Sequence, residues 1–286
     1  MTFGCVLLTM GRRPEALRRA LESLLAQEGV EVDVAVVGNT WEPSGLPEGV
    51  RAVYSAENVG IPAGRNLGVP AVSGELLFFL DDDASLAADD ALARVARRFA
   101  DDPGLGLLQL RVEPLEAGGA RARDWVPRLR VGDPERSSDI TAVWEGAVAI
   151  RRSVFEAVGG WPADFRFVHE GIDLAWRVMD AGWRVAYAGE IVALHPSPTG
   201  TPHGYSFYYG ARNRAWLARR HLPAWLAVAY LAGFVLRTLP RLRSAANARD
   251  ALRGYRDGLR GDAGGRKPLR PGTLWRMTRA GRPPIM

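Results

Sequence analysis

The sequence has few thiols and almost no lysine: Cys5 and Lys267 are the only residues of their kinds among 286. A single cysteine excludes a disulfide framework and fits a reducing compartment. Of the 37 basic residues, 36 are therefore arginine, a bias that we attribute to coding composition and not to a binding site. The first apolar run is short and has no basic residues before it, which predicts no signal peptide and a cytoplasmic protein.

The overall composition is that of a folded protein with a modest positive charge. Hydrophobic residues make up 47% of the chain, enough to bury a substantial core and to exclude wholesale disorder. The formal net charge of +5 favours ligands that carry phosphate, or an anionic membrane surface. The sequence has no zinc-ligand spacing, internal repeat or nucleic-acid-binding module, so we expect no nucleic-acid partner.

The most informative segment is an apolar run at residues 76–80 that ends in Asp81, Asp82 and Asp83. Consecutive large apolar residues predict a strand buried on both faces, as in the middle of a parallel sheet. Neighbouring carboxylates repel one another, and Mg²⁺ or Mn²⁺ prefers carboxylate oxygens, so the acids predict a divalent-metal site. The alternative is that the acids only cap the strand and begin the next helix.

Strand-like and helix-like segments alternate through the first half of the chain. Apolar runs predict strands at residues 3–8, 32–37, 51–54 and 76–80, and segments that open at Pro14 and Pro62 predict helices. Such alternation predicts parallel strands, whose carboxyl ends share one edge of the sheet and bind ligands there.

Each predicted strand ends in polar or charged residues, so this edge collects side chains that suit a diphosphate. The side chains expected beside the three acids are Arg12, Arg13, Arg65, Asn39 and Asn58. Arginines next to a metal-binding acid cluster are typical of a diphosphate site. The chain lacks both the P-loop motif and Gly-x-Gly-x-x-Gly, which argues against P-loop kinases, nucleotidases and dinucleotide enzymes.

Residues 3–196 resemble the family-2 glycosyltransferases, which have the nucleotide-diphospho-sugar transferase (GT-A) fold. The resemblance rests on a Thr-x-x-Arg-like turn at Thr9, on Asn58-Val59-Gly60 and Gly64-Arg65-Asn66, and on the Asp-x-Asp-like acids. It implies an α/β fold with a mixed, Rossmann-like sheet flanked by helices. The residues that it implies for nucleotide-sugar binding are Thr9, Gly11, Arg12, Arg13, Asn39, Asn58, Gly60, Arg65, Asn66, Asp81, Asp82, Trp144, Glu145 and Gly146. Where the family usually has an aspartate that contacts the nucleobase, this chain has Gly38-Asn39.

A second acidic segment, Glu170-Gly171-Ile172-Asp173, resembles the family's Glu-Asp-x-Asp-Leu…Arg element, which supplies the catalytic base at the start of a helix. This chain has Gly171 where the family has its usual base, so Glu170 and Asp173 are the catalytic candidates. Their spacing of three residues puts them on one helix face. Asp173 and Arg177 also have the spacing of a structural ion pair, so we expect Glu170 to be the base and Asp173 to stabilise the helix.

Two histidines and a tryptophan complete the predicted site. His195 follows a strand-like segment and precedes Pro196; in the family a histidine at this place often completes the metal site. The predicted ligands of Mn²⁺ or Mg²⁺ are therefore Asp81, Asp83 and His195. His203, in a loop rich in glycine, proline and threonine, is a weaker candidate for contact with the diphosphate or the acceptor. For Trp144, a place in the core is an equal alternative to a place in the pocket.

Several further segments have a predicted structure. Residues 113–139 lose all periodicity, which predicts a long loop over the site. A strand is predicted at residues 141–150, and two short strands are predicted at 184–187 and 191–194.

The resemblance divides the chain into a catalytic domain at residues 1–200 and a helical C-terminal extension at 201–286. Within the domain, residues 1–112 would bind the nucleotide sugar and residues 113–200 the acceptor. The apolar run at 224–236 is too short to cross a bilayer, which needs about 20 residues. Its aromatic and arginine neighbours favour a peripheral membrane helix within residues 206–243. A core helix or a homodimer helix is an equal alternative, and the segment beyond Tyr255 is expected to be a loose tail.

Together these features predict a metal-dependent, inverting glycosyltransferase that moves a sugar from a nucleotide diphosphate sugar to a hydroxyl of a glycan or lipid-linked acceptor. The family implies a role in cell-envelope polysaccharide or glycolipid synthesis, at the inner face of the cell membrane. Two alternatives stay open. A sugar nucleotidyltransferase would need a glycine-rich loop, and the turn at residues 9–14 has one glycine. A non-catalytic sugar-nucleotide-binding protein would explain Gly171.

Overall fold

The structure, a computed structural model, describes residues 1–198, 205–242 and 244–284. Its strands, numbered in chain order, are β1 (Thr2–Thr9), β2 (Glu31–Asn39), β3 (Arg51–Ser55), β4 (Leu76–Asp81), β5 (Ser85–Leu86), β6 (Leu105–Pro114), β7 (Ser138–Asp139), β8 (Ala147–Arg151) and β9 (Arg184–His195). Its α-helices are α1 (Pro14–Leu25), α2 (Ile61–Gly68), α3 (Ala91–Asp101), α4 (Arg152–Ala157), α5 (Glu170–Asp180), α6 (Tyr205–His221), α7 (Ala224–Thr238), α8 (Ala245–Arg260) and α9 (Pro271–Arg279).

The strands form one mixed sheet in the order β3-β2-β1-β4-β8-β6-β9-β5, with β7 paired to β9. Strands β1 to β4 are parallel, as predicted, so their carboxyl ends meet at one edge. Strand β8 runs antiparallel to both β4 and β6, whereas β6 and β9 are parallel. The predicted α/β architecture, a mixed sheet flanked by helices with a helical C-terminal region, is confirmed.

Strand β4 is apolar along its length because helices cover both faces of the sheet. Leu77 and Phe79 point into a core that also contains Leu174 of α5. Phe78 lies on the opposite face, in a core with Leu21 of α1. Burial on both faces is the reason why the strand reads as a continuous apolar run, without the alternation of a half-exposed strand.

Two predicted strand assignments differ from the structure. The strand expected at residues 141–150 begins only at Ala147, since the backbone N–H of Trp144 donates to the side chain of Gln109 (2.7 Å) and not to a neighbouring strand. The two short strands expected after α5 are one strand, β9. A register shift opposite Leu110 and Arg111 lets β9 continue along β6 across the irregular segment.

The segments expected to be irregular contain ordered packing. The long loop at residues 113–139 includes a short 3-10 turn and buries Trp125 and Val126. The prediction of a loose tail beyond Tyr255 was wrong, because this segment forms α9 and buries Met277. Asp180, at the end of α5, accepts hydrogen bonds from the N–H of Arg270 (2.9 Å) and the hydroxyl of Thr273 (2.8 Å), which hold the tail against the sheet domain.

Candidate active site

The predicted metal ligands meet at the carboxyl end of β4. Asp81, Asp83 and His195 each offer a ligand atom, and these atoms lie within 4.8 Å of one another. Strand β5 follows the acids at once and pairs with β9, so that Ser85 lies opposite Leu194. This pairing brings His195 beside Asp83, with Nε2 3.2 Å from Oδ1. Two carboxylates and an imidazole suit Mn²⁺ or Mg²⁺, so the residues present fit the predicted ion.

Two arginines balance the charge of the acids. Arg13 pairs with Asp82 and Asp83, and Arg65 Nη2 lies 2.6 Å from Asp81 Oδ1. The side chain of Arg13 is 53% exposed, whereas that of Arg65 is 5% exposed. Arg13 can therefore turn towards a diphosphate in the cleft, while Arg65 is a fixed positive charge beneath it.

The turn after β1 is built around Thr9 and Gly11. The Thr9 hydroxyl donates to Asp82 Oδ2 (2.5 Å) and accepts from the N–H of Gly11 (3.0 Å). Gly11 has a φ of +69°, and a Cβ there would overlap the ring of Trp41. The turn thus requires glycine for two reasons, and it brings Trp41 to the site, a residue that the sequence did not single out. Arg12 is exposed at the same turn.

The predicted asparagines hold the loops that border the cleft. Asn39 Nδ2 donates to Asn58 Oδ1 (3.2 Å), which also accepts from the N–H of Gly60 (3.0 Å). Asn66 donates to the carbonyl of Trp161 (2.8 Å) and accepts from its N–H (3.0 Å). These side-chain amides are used within the protein, so their geometry fits a positioning role.

The rings of Trp144 and Trp125 form an aromatic wall beside the predicted metal ligand His195. The ring of Trp144 lies 5.1 Å from His195 and 6.1 Å from Trp125, measured between centroids. The buried side chain of Gln109 fixes both tryptophans, since Nε2 donates to the Trp125 carbonyl (2.8 Å) and Oε1 accepts from the Trp144 N–H (2.7 Å). Trp125 and Gln109 were missed by the sequence-based prediction. The signal for Gln109 was a polar amide inside an apolar strand.

Gly146 joins this wall to the acids. Its carbonyl accepts from the N–H of Asp81 (3.0 Å), which continues the pairing of β4 with β8. A Cβ at this position would meet the ring of Trp144 and would lie 2.5 Å from Asp81 Oδ2. Glycine is therefore required by close packing, and the predicted residues Trp144 and Gly146 both border the cluster.

A second carboxylate pair, Glu145 and Glu170, lies at the start of α5. Glu170 is buried; its Oε1 lies 4.0 Å from Arg65 Nη1, and its Oε2 has no hydrogen-bond partner among the described residues. Glu145 Oε1 accepts from the N–H of Gly171 (2.6 Å). Burial and the nearby charge of Glu170 raise the pKa of Glu145 to about 8, against the opposing effect of Arg65. Burial also raises the pKa of Glu170, again opposed by Arg65.

Asp173, the other predicted catalytic carboxylate, lies in a structural network. It accepts from Arg177 Nε (2.6 Å), and its other oxygen lies 2.7 Å from His221 Nε2. Although burial opposes the shift, Arg177 and His221 lower the pKa of Asp173 to about 2. The three residues also line a cavity of about 480 Å³ that contains none of the predicted metal ligands. This cavity is therefore separate from the acidic cluster at the sheet edge. His203 lies outside the described residues.

Comparisons with known proteins agree on one family. The model of glycosyl transferase family 2 matches residues 5–159. A pre-mycofactocin glycosyltransferase of Mycobacterium tuberculosis is 25% identical over 226 residues, which is 75% of this chain and 44% of that protein. An O-antigen chain rhamnosyltransferase of Salmonella typhimurium is 31% identical over 141 residues, 46% of this chain and 44% of that protein. This chain thus spans less than half the length of both relatives.

The fold has a close counterpart among solved structures. The crystal structure of GalNAc-T7 with UDP, GalNAc and Mn²⁺ superposes with a TM-score of 0.65 at 15% sequence identity, covering 90% of this chain and 54% of that chain. This likeness confirms the GT-A architecture. Among the residues that the structure describes, no helix combines the length and the apolar character needed to cross a membrane.

Proposed function

The chain belongs to glycosyl transferase family 2, and on that basis we propose that it is a metal-dependent, inverting transferase of sugars from nucleotide diphosphate donors. The convergence of Asp81, Asp83 and His195 beside Arg13 carries this proposal, because it joins a divalent-ion ligand set to an exposed cation suited to phosphate. If the acids only capped β4, there would be no chemical reason for His195 of β9 to lie beside Asp83.

The proposed transfer is a single displacement. The acceptor hydroxyl gives its proton to a carboxylate, and its oxygen bonds to the anomeric carbon on the face opposite the diphosphate. The bond from that carbon to the diphosphate oxygen breaks, and the electron pair leaves with the nucleoside diphosphate. Mn²⁺ or Mg²⁺ held by Asp81, Asp83 and His195 would offset the charge of the leaving group. Arg12 and Arg13 contact the phosphates, and Glu145 and Glu170 are the carboxylates available to take the proton.

A thermal-shift panel tests the donor site. UDP-glucose, UDP-N-acetylglucosamine, GDP-mannose, dTDP-rhamnose and a CDP-sugar are added with and without Mn²⁺. A donor at 100 times its dissociation constant should stabilise the protein by about 2.7 kcal/mol. Stabilisation by one nucleotide class that requires Mn²⁺ is the expected result, and sugar transfer or donor hydrolysis should follow. Formation of a nucleotide sugar from a nucleoside triphosphate and a sugar phosphate would indicate a nucleotidyltransferase instead. Donor binding with neither transfer nor hydrolysis would indicate a non-catalytic binding protein.

We also propose that the acceptor is a lipid-linked or glycan intermediate of the cell envelope, reached at the inner face of the membrane. The support is the exposed side of α7, where Trp225 and Leu236 are 72% and 68% exposed and lie on one helix face with Val228. The opposite side of α7 packs Tyr230 and Phe234 into the core. A helix that is apolar on both sides, on a chain of positive net charge, suits an anionic membrane surface.

Liposome pelleting tests this membrane contact. Trp225→Ser with Leu236→Ser should abolish pelleting with vesicles of phosphatidylglycerol and phosphatidylcholine, and added salt should weaken the pelleting of the wild type. Leu252→Ser is the matched control, because Leu252 is 70% exposed on α8, outside this face. If the wild type never pellets and instead forms a dimer that the double variant dissociates, the face is a homodimer interface.

A further inference from the structure

The start of α5 has a glycine where a side chain would collide with another residue's carboxylate. A Cβ placed on Gly171 would lie 2.6 Å from Glu145 Oε1 and closer still to the carbonyl oxygen of Val143. Glu145 thus fills the space into which a side chain at 171 would project. Its carboxylate is anchored there by the hydrogen bond from the Gly171 N–H (2.6 Å).

The residues on either side of Glu145 both touch the metal-ligand cluster. The ring of Trp144 packs on His195 at 5.1 Å, and the carbonyl of Gly146 accepts from the N–H of Asp81 at 3.0 Å. Glu145 is therefore held next to the place where the donor diphosphate would bind. Glu145 as a whole residue is half-buried, whereas Glu170 is only 3% exposed. Of the two carboxylates, Glu145 is the one that an acceptor can reach.

We propose that Glu145 is the catalytic base, and that its carboxylate reaches the acceptor from β8 because α5 offers no side chain at Gly171. The inference rests on the proposed function. In the transfer, the acceptor O–H proton moves to the free Oε2 of Glu145 while Oε1 keeps the hydrogen bond from Gly171. Glu170 is then a positioning residue. Its buried carboxylate lies 4.0 Å from Arg65, and its negative charge raises the proton affinity of Glu145.

A purely structural role for Glu145 would be to cap α5, since the residue that precedes this helix, His169, makes no side-chain cap. The two roles can be separated by substitution. Glu145→Gln keeps an oxygen that accepts from the Gly171 N–H, so the cap survives, but the amide cannot take a proton at neutral pH. Glu145→Ala removes both the cap and the base, and it leaves room for a small carboxylate from solution.

The experiment measures donor hydrolysis, in which water takes the place of the acceptor and also needs a base. The donor is the nucleotide sugar of the panel above that stabilises the wild type most strongly with Mn²⁺. Glu145→Gln should lower turnover by about 10²- to 10⁴-fold, with an unchanged melting temperature and an unchanged Mn²⁺-dependent affinity for the donor by calorimetry. Formate should restore part of the turnover of Glu145→Ala. Glu170→Gln should shift the pH dependence of turnover, and its turnover should not respond to formate.

The outcomes distinguish the inference from the proposed function. If the wild type neither binds nor hydrolyses any donor of the panel, the proposed function fails and the assignment fails with it. If the wild type is active and Glu145→Gln turns over normally, only the assignment to Glu145 is overturned. A selective loss in Glu170→Gln would then make Glu170 the base. If Glu145→Gln loses thermal stability and formate does not rescue Glu145→Ala, Glu145 is a helix cap only.

Discussion

The molecule contains two acidic clusters that are built in opposite ways. The donor cluster, Asp81, Asp83 and His195, sits at an open sheet edge, and the exposed Arg13 balances its charge. The pair Glu145 and Glu170 instead has the buried Arg65 as its nearby cation. Ions and phosphates can reach the first cluster beside the exposed Arg13, whereas burial raises the pKa values of both carboxylates in the second pair.

This difference indicates two tasks. An open cluster of carboxylates and an imidazole suits a divalent ion that comes and goes with its substrate. A desolvated carboxylate of raised pKa suits proton transfer near neutral pH, because a base works best when its pKa is close to the working pH. Arg65 links the clusters, since it contacts Asp81 on one side and lies 4.0 Å from Glu170 on the other.

The largest effect is expected in the donor cluster. Asp83→Ala should abolish Mn²⁺-dependent donor binding, because it removes a ligand and leaves His195 without the carboxylate that orients it. Isothermal calorimetry with UDP or GDP and Mn²⁺ measures the effect. Asp89→Ala is the control, as Asp89 is exposed just beyond β5. Unchanged Mn²⁺-dependent affinity in Asp83→Ala would remove the metal assignment.

The second-largest expected effect is on stability. It distinguishes Asp173, which we expect to be structural, from the pair Glu145 and Glu170. Asp173→Asn should lower the free energy of unfolding by about 3–5 kcal/mol, since it breaks a buried pair with Arg177 and His221. Donor affinity should change little. The control Asp164→Asn changes a half-exposed carboxylate that pairs with Arg220 and should cost less than about 1 kcal/mol. Denaturant titration measures both. Normal stability with lost turnover in Asp173→Asn would make Asp173 catalytic.

The contacts of Asp173 with Arg177 and His221 also make the free energy of unfolding depend on pH. The folded-state pKa of Asp173 is lowered to about 2, so its contribution is present above the ordinary aspartate pKa of about 4. It should be lost as the pH falls through 2. In Asp173→Asn the denaturation midpoint should therefore vary less between about pH 4 and pH 2 than in the wild type.

A smaller effect is expected from the arginines of the first turn. Arg13→Ala should weaken binding of UDP or GDP with Mn²⁺ by about tenfold, the value of one charge-assisted hydrogen bond to phosphate. Arg12→Ala, one residue away and also exposed, is the comparison. It should have the smaller effect, since Arg13 is the residue of this turn that pairs with Asp82 and Asp83. An equal loss in both variants would mean that the turn contributes only general positive charge.

The smallest expected effect is a shift in the pH dependence of turnover. The base must be ionised, so turnover should rise with pH through the pKa of Glu145, at about 8. Glu170→Gln removes a negative charge that raises this pKa, while Arg65 and the Gly171 N–H continue to lower it. The rise in turnover should therefore move to lower pH. A pH–rate profile of donor hydrolysis measures the change, and an unmoved profile would show that Glu170 does not act on the base.

Much of the donor side follows from the sequence alone. The run of apolar residues before Asp81 predicts a strand buried on both faces, and parallel strands bring their carboxyl ends to one edge whatever the details of packing. For that reason Arg13, Arg65 and the acids could be placed together before any coordinates. The resemblance to family-2 glycosyltransferases was enough to predict His195 as a metal ligand. The pairing of β5 with β9 that brings it to Asp83 is visible only in the structure.

The other half of the site depends on tertiary structure. In sequence, Gly171 only marks a missing aspartate, and Glu145 is 26 residues away. No periodic pattern joins a residue just before β8 to the first turn of α5, because their contact depends on how strand and helix pack. The helix at the C-terminus escaped prediction for the same reason, since the core that contains Met277 is built mainly from segments distant in sequence. Local sequence thus determined the strands and the acids at their ends, whereas packing between distant segments decided that Glu145 meets Gly171 at the start of α5.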